Sequence, residues 1–126
     1  MAVSEVVRVA DICLMSRDVE KRTRFYEDLG LSVTLDQGGL KCLPLGDKEL
    51  AIHREVSGEP VGPGISLLVD DLESLIGNLK SKGIKFNGPS ESHMGTSAIK
   101  VEDPEGFWLE IHQLKRENPQ QARFFK

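Results

Sequence analysis

The run Trp108-Leu109-Glu110-Ile111-His112 sets a carboxylate and an imidazole two residues apart among apolar neighbours. Its alternation reads as a strand, whose successive side chains point to opposite faces. Trp108, Glu110 and His112 then share one face, and Leu109 and Ile111 the other. A carboxylate midway along a half-buried strand is costly to desolvate without a partner. Glu110 therefore either contacts a ligand or metal, or is solvated and bonded to a nearby Arg or backbone donor. It is the candidate catalytic residue. Trp108 either fills core or offers a flat surface on which a planar ligand stacks. Glu49, Ala51 and His53 alternate in the same way, and His53 and His112 each read as packing or as ligand contacts.

Two further runs carry candidates. In Val7 to Met15, Asp11, Cys13 and Met15 oppose Ile12 and Leu14; in Gly64 to Val69, Gly64, Ser66 and Leu68 oppose Ile65 and Leu67. Ile12, Leu14, Ile65 and Leu67 are expected to pack under helices. The opposite faces are expected to line a cavity, with Asp11, His53, Ser66, Trp108 and His112 as substrate contacts. Ser66 lacks a GxSxG context and reads as a small cavity residue. Asp11 and Glu110 in one cavity repel, so one is expected to have a raised pKa, suiting a general base or a cationic ligand.

These faces need elements to position them. Val7 to Met15 is a strand, and Asp18 caps a helix over Val19 to Leu29 whose stripe is Val19, Phe25, Tyr26 and Leu29, stopped by Gly30. Strands follow at Leu31 to Asp36, Leu40 to Leu45 and Glu49 to Arg54. The Gly- and Pro-rich stretch 55–63 is a linker. The second half repeats the order: a strand at Gly64 to Val69, Asp71 capping a helix over Leu72 to Lys82, Gly83 ending it, and a strand at Ile84 to Phe86. Asn87 to Gly95 is a loop, Ser97 to Glu102 a strand, Asp103 to Gly106 a turn and Phe107 to His112 the last strand. The tail from residue 114 is polar and reads as surface or frayed, with Phe124 and Phe125 free to dock.

A shift of 53 positions lays Ile12, Leu14, Asp18, Val19, Gly30 and Leu31 on Ile65, Leu67, Asp71, Leu72, Gly83 and Ile84. A shift of 59 lays Leu50-Ala51-Ile52-His53 on Leu109-Glu110-Ile111-His112. Apolar and capping positions agree together, which points to an internal duplication.

Composition excludes several classes. The chain has 126 residues, enough for one core, with 39% hydrophobic and 29% charged residues. No run reaches the ~20 apolar residues of a membrane span. The net charge of -4 shows no basic stripe, so no nucleic-acid partner is expected. The start of the chain lacks a long apolar leader stretch, and a cytoplasmic location is the default. Cys13 and Cys42 sit in apolar runs and read as buried thiols.

Three motifs in order, Arg17-Asp18-Val19-Glu20 leading to Phe25-Tyr26-Glu27-Asp28-Leu29-Gly30-Leu31, then Val69-Asp70-Asp71-Leu72, then Asp103-Pro104-Glu105-Gly106-Phe107-Trp108-Leu109-Glu110-Ile111, resemble the vicinal oxygen chelate superfamily, also called the glyoxalase/bleomycin-resistance/dioxygenase family. The resemblance reaches about Gln113. It implies an α+β fold: two tandem βαβββ modules, about 7–54 and 64–113, forming a curved mixed sheet around a cavity within one domain. It also implies a homodimer. The family spans lyases, ring-cleaving dioxygenases, thiol transferases and non-catalytic drug binders, so fold alone does not name a reaction.

Metal-dependent members place four ligands on the four cavity strands, and the matching positions are Asp11, Ala51, Gly64 and Glu110. Ala51 and Gly64 offer no donor side chain, and a divalent metal needs about three or more. The resemblance thus implies a small-molecule binder without a complete metal site, taking a planar or cationic compound and no cofactor. Its alternative is a metal-dependent lyase or dioxygenase with a divalent metal on a rearranged set of Asp11, His53 and Glu110. His93 and Met94 lie in a loop that forms cavity walls in this family.

Overall fold

The computed structural model describes residues 6–55 and 63–125. Most of the expected linker, 56–62, lies outside the described residues. The elements are β1(Val6–Ser16), α1(Val19–Asp28), β2(Leu35–Asp36), β3(Leu40–Leu45), β4(Lys48–Arg54), β5(Gly64–Val69), α2(Leu72–Ser81), β6(Asn87–Glu91), β7(Ser97–Glu102), β8(Trp108–Gln113) and α3(Pro119–Ala122), followed by a 3-10 turn over Arg123–Phe125. The fold is α+β, as expected. All eight strands join one curved sheet in the order β2-β3-β4-β1-β5-β8-β7-β6. At its centre β1 and β5 run antiparallel, while β4 and β8 flank them in parallel.

Local chemistry forms the two helices as the sequence predicts. The Asp18 side chain accepts the Lys21 N–H at 3.0 Å, and Asp71 accepts that of Ser74 at 3.1 Å. Each bond satisfies a donor that the first helical turn leaves orphaned. Gly30 and Gly83 take positive φ just beyond the two helix ends.

Packing departs from the expected stripe. On α1 the buried residues are Val19 and Thr23, whereas Phe25 and Leu29 are 59% and 65% exposed. At 3.6 residues per turn, Thr23 and Tyr26 lie within about 40° of Val19 around the axis, and Phe25 lies about 120° away. Tyr26 joins Val19, Leu43, Leu50 and Ile52 under α1, and Leu72, Leu79, Ile99 and Ile111 pack under α2. Leu14 and Leu67 contribute to these cores as expected. Ile12 does not: it is 41% exposed. It pairs with Ile65 on the central strands, whereas α1 packs over β3 and β4 and α2 against β8.

Three other expectations are corrected. The strand expected over Leu31 to Asp36 shrinks to β2, which pairs with β3 only at Leu35 and Asp36. Ile84 to Phe86 forms no strand; the edge strand lies instead in the expected loop, as β6, whose residues are all exposed. It exists through pairing with β7, so no apolar alternation announces it. The tail is folded: Phe124 is buried among Ala10, Leu68 and Met94. The Phe125 ring lies between the guanidinium groups of Arg8 and Arg116, at 5.0 and 4.8 Å.

The sheet face opposite the helices is organised in rows. Leu35, Cys42, Ala51, Cys13, Gly64 and Trp108 follow one another across six strands. With Met15 and Leu40 they make an apolar cluster. A Cβ built on Gly64 would stand 2.5 Å from the Trp108 ring and from its backbone oxygen. Gly64→Ala is therefore expected to destabilise the chain by about 2 kcal/mol or more through overpacking. Urea unfolding of the two proteins measures it.

Candidate functional site

The next row is polar: Glu49, Asp11, Ser66, Glu110 and Lys100 lie side by side on β4, β1, β5, β8 and β7. A bulge prepares it. The pairing of β1 with β5 skips Ala10 between Val9 and Asp11, and Ala10 and Asp11 are both fully buried despite being neighbours. Asp11 is thus buried in the sheet's interior face with Ser66 opposite it. Cys13 donates to Asp11 Oδ1 at 2.9 Å, and its Sγ lies 3.2 Å from Ser66 Oγ. Cys13 and Ser66 are the residues related by the shift of 53, so the two halves meet at this contact.

His93 completes the group. The turn between β6 and β7 is closed by the Ser92 N–H donating to the Thr96 carbonyl at 2.8 Å and the Gly95 N–H to the Ser92 carbonyl at 2.9 Å. Met94 is buried with Ala10, Leu68 and Phe124 and anchors the turn. His93 is thereby laid between the carboxylates, its Nε2 3.8 Å from Asp11 Oδ2 and its Nδ1 3.6 Å from Glu110 Oε1. His112 Nε2 lies 2.9 Å from the same Glu110 oxygen, and Lys100 Nζ 3.8 Å from Oε2. The His93 and His112 rings meet edge to face at 5.5 Å. Asp11 Oδ2, His93 Nε2 and His112 Nδ1 are buried without a hydrogen bond.

These neighbours decide the charges. Burial pulls the Asp11 carboxyl upward, but His93, Cys13 and Ser66 outweigh it and hold it below the usual carboxylate range. Burial acts the same way on Glu110, and His112, His93 and Lys100 bring it below its ordinary value. The expected raised carboxylate of this pair is thus corrected, because a histidine stands between the two anions. Burial pulls His93 downward, and Asp11 and Glu110 overcome it to raise its pKa. Glu49 is the raised carboxyl: burial outweighs Arg123, whose guanidinium lies 2.6 Å away. Burial, reinforced by Asp11, pushes Cys13 well above its ordinary value, so it is no thiolate nucleophile.

A cavity of about 290 Å³ opens beside this group, lined by His53, Asn87, Ser90, Glu91, His93 and Lys100 among others, with Glu110 in its wall. Asp11 and Ser66 lie behind Glu110 and His93, and His112 is fully buried. Trp108 is fully buried in the apolar row and is not among the lining residues. His53 does line the cavity, with Nδ1 2.7 Å from its neighbour's carbonyl at Arg54. The resemblance placed His93 only in a cavity-wall loop and gave it no chemical role. Its signal was faint: an imidazole beside a large apolar Met94 in an otherwise polar, small-residue loop.

The donors do not fit a metal centre of the family's kind. Ala51 shares the apolar cluster with Trp108, and the Trp108 indole occupies the space a side chain at 64 would need. The rearranged set fails on register: Asp11 pairs with Glu49 and His53 with Met15. Four residues separate them, about 13 Å along a strand. His93 meanwhile turns a different nitrogen to each carboxylate, so the donors do not converge. Among the described residues, no group of three or more His, Cys, Asp or Glu is disposed to hold an ion.

The raised His93 pKa ties stability to pH. A folded pKa above the unfolded value stabilises the fold fully below 6.5 and loses that contribution as pH rises through the folded value. Asp11 and Glu110, both lowered, lose theirs on the acid side instead, as pH falls below the ordinary carboxylate range. Wild-type protein is expected to lose stability as pH rises above the ordinary histidine value of 6.5, and His93→Asn to flatten that loss, read by urea unfolding at each pH.

Comparison with known proteins agrees with this architecture. A bleomycin resistance protein of Klebsiella pneumoniae is 28% identical over 110 residues, covering 79% of this chain and 87% of that protein. A glyoxalase/bleomycin resistance protein/dioxygenase superfamily member from Vibrio splendidus 12B01 superposes with a TM-score of 0.66 at 21% identity, covering 85% of this chain and 98% of the other. Methylmalonyl-CoA epimerase from Mycobacterium tuberculosis gives a TM-score of 0.67 at 16% identity, covering 91% of this chain and 93% of the other. At such identities the two structures speak for the fold alone. The family pattern itself matches residues 8–111, and the chain accordingly belongs to the Glyoxalase/Bleomycin resistance protein/Dioxygenase superfamily.

Proposed function

We propose that this protein is a small-molecule binder that takes a compact cationic compound, an amine or guanidine, into the cavity beside Glu110 without a metal. One observation carries the reading. Glu110 stands in the cavity wall as an ionised carboxylate shared by His112 and Lys100, and Asp11 backs it with a buried oxygen, Oδ2, that makes no hydrogen bond. Glu110 and Glu91 in the wall and Asp11 behind it outnumber the cations Lys100 and His93, which favours a positive ligand group, and a charged hydrogen bond is the strongest contact the site offers. Glu91, Ser90 and Asn87 add acceptors at the rim, and the flat surfaces facing the cavity are the imidazoles of His53 and His93. A planar ligand group would lie against those rings, since Trp108 is buried elsewhere. The curated relative carries the name of a resistance protein, which accords with sequestration.

The homodimer implied by the family, the division into two modules around the stretch 55–63, and a cytoplasmic location belong to the same proposal. Exposed Ile12, Phe25 and Leu29 give a second copy apolar surface to cover. No helix among the described residues is long and apolar enough to cross a membrane. Sedimentation of the purified chain decides the dimer.

The binding test is calorimetric titration with agmatine, spermidine and metal-free bleomycin. Binding of one of them is expected, with Glu110→Gln weakening it ten- to a hundredfold, on the order of 1.5–3 kcal/mol for a hydrogen bond to a charged group. Affinity unchanged in Glu110→Gln, or binding only with an added divalent metal, would overturn the proposal.

A further inference from the structure

The C-terminal segment holds a side chain whose bonds reach the cavity from behind. Gln121, on α3, is fully buried. Its Nε2 donates to Thr96 Oγ1 at 3.0 Å and to the Gln113 carbonyl at 2.9 Å, and its Oε1 accepts the Lys115 N–H at 2.6 Å. One side chain thus ties together the end of β8, the chain leaving it, and the turn that carries His93. Asn118 adds a second tie, donating from Nδ2 to the Met94 carbonyl at 3.0 Å. Both ties grip the turn on the C-terminal side of His93. Phe124 packs with Met94 and fills the space under that grip.

His93 needs such support. Its Nε2 has no hydrogen bond, and its carboxylate neighbours stand at 3.8 and 3.6 Å. These contacts are too long to be hydrogen bonds that lock a ring. The backbone of the turn sets where the imidazole lies, and the turn is held by Gln121 and Asn118.

We propose that Gln121 is a positioning residue of the ligand site: through Thr96 it holds the Ser92–Thr96 turn down, fixes His93 over Asp11 and Glu110, and so sets the depth of the cavity. This rests on reading that cavity as the ligand site. Removing the tie lets the turn lift, and the imidazole leaves the wall against which the ligand is held. A buried amide with all its bonds made is costly to strand, so its partners hold the turn more firmly than apolar contact would.

The test is carbethoxylation of the full-length protein by diethyl pyrocarbonate, read residue by residue with peptide mass spectrometry. The three histidines report separately, since His53 lines the cavity, His93 lies on the turn and His112 is fully buried. In Gln121→Leu, labelling of His93 is expected to rise about fivefold, the factor that loss of about 1 kcal/mol corresponds to. His53 should keep its rate and His112 should stay protected. Thr96→Val, which removes only the hydroxyl, should act in the same direction, and the double variant should label no faster than Gln121→Leu. If Gln121→Leu fails to fold, Thr96→Val decides. An unchanged His93 rate in the folded variants would overturn the proposal. So would a joint rise at all three histidines, which marks general loosening. No ligand enters the labelling, so failure of the wild type to bind amines or guanidines overturns the reading of the cavity and not the hold on His93. Where agmatine does bind, its affinity should fall in Gln121→Leu; unchanged affinity beside faster His93 labelling would break the link from turn to site.

Discussion

Two carboxylates held side by side on a buried sheet face are the constraint to which the site answers. Asp11 and Glu110 stand on β1 and β8 with only Ser66 of β5 between them. Left alone, like charges at that depth would push one proton back on. The chain instead surrounds them with His93, His112, Lys100 and the Cys13 thiol. The same constraint explains the tail: a histidine on a turn compensates a buried anion only while the turn stays down, and α3 with its 3-10 extension packs against it.

The antiparallel pairing of β1 with β5 distributes chemistry unequally. It sets Cys13 against Gly64 and Asp11 against Ser66, so equivalent positions of the two halves fall in different rows. One row became apolar and closed around Trp108. The other stayed polar and opened on the cavity. Charge and space, more than any symmetric arrangement of donors, then decide what such a cavity accepts.

Much of this was legible in the residues. Capping is local, so Asp18 and Asp71 marked both helix starts, and period-two alternation marked the strands that carry Asp11, His53, Ser66 and Glu110. What stayed hidden depends on distant partners. β6 is a strand because β7 pairs with it, and its polar residues carry no alternation. Phe25 matched a helical stripe by type, but it lies about 120° from Val19 around the helix axis and so faces solvent. His93 and Gln121 are joined to the site only by long-range contacts, across 82 positions between Asp11 and His93 and 25 between Thr96 and Gln121. The register of β1 against β4, not residue type, keeps His53 from Asp11.

The indole lying over Gly64 also orders the substitutions open to this chain. A histidine or glutamate at position 64 has no room while Trp108 keeps its place, and a smaller residue at 108 leaves a void in the apolar row until something fills it. A four-donor site is thus at least three substitutions away, at 51, 64 and 108, and the one that removes bulk at 108 must come before the one that adds a ligand at 64. The indole beside Gly64 thus acts as a latch: it fixes the order in which substitutions at 64 and 108 can be accepted.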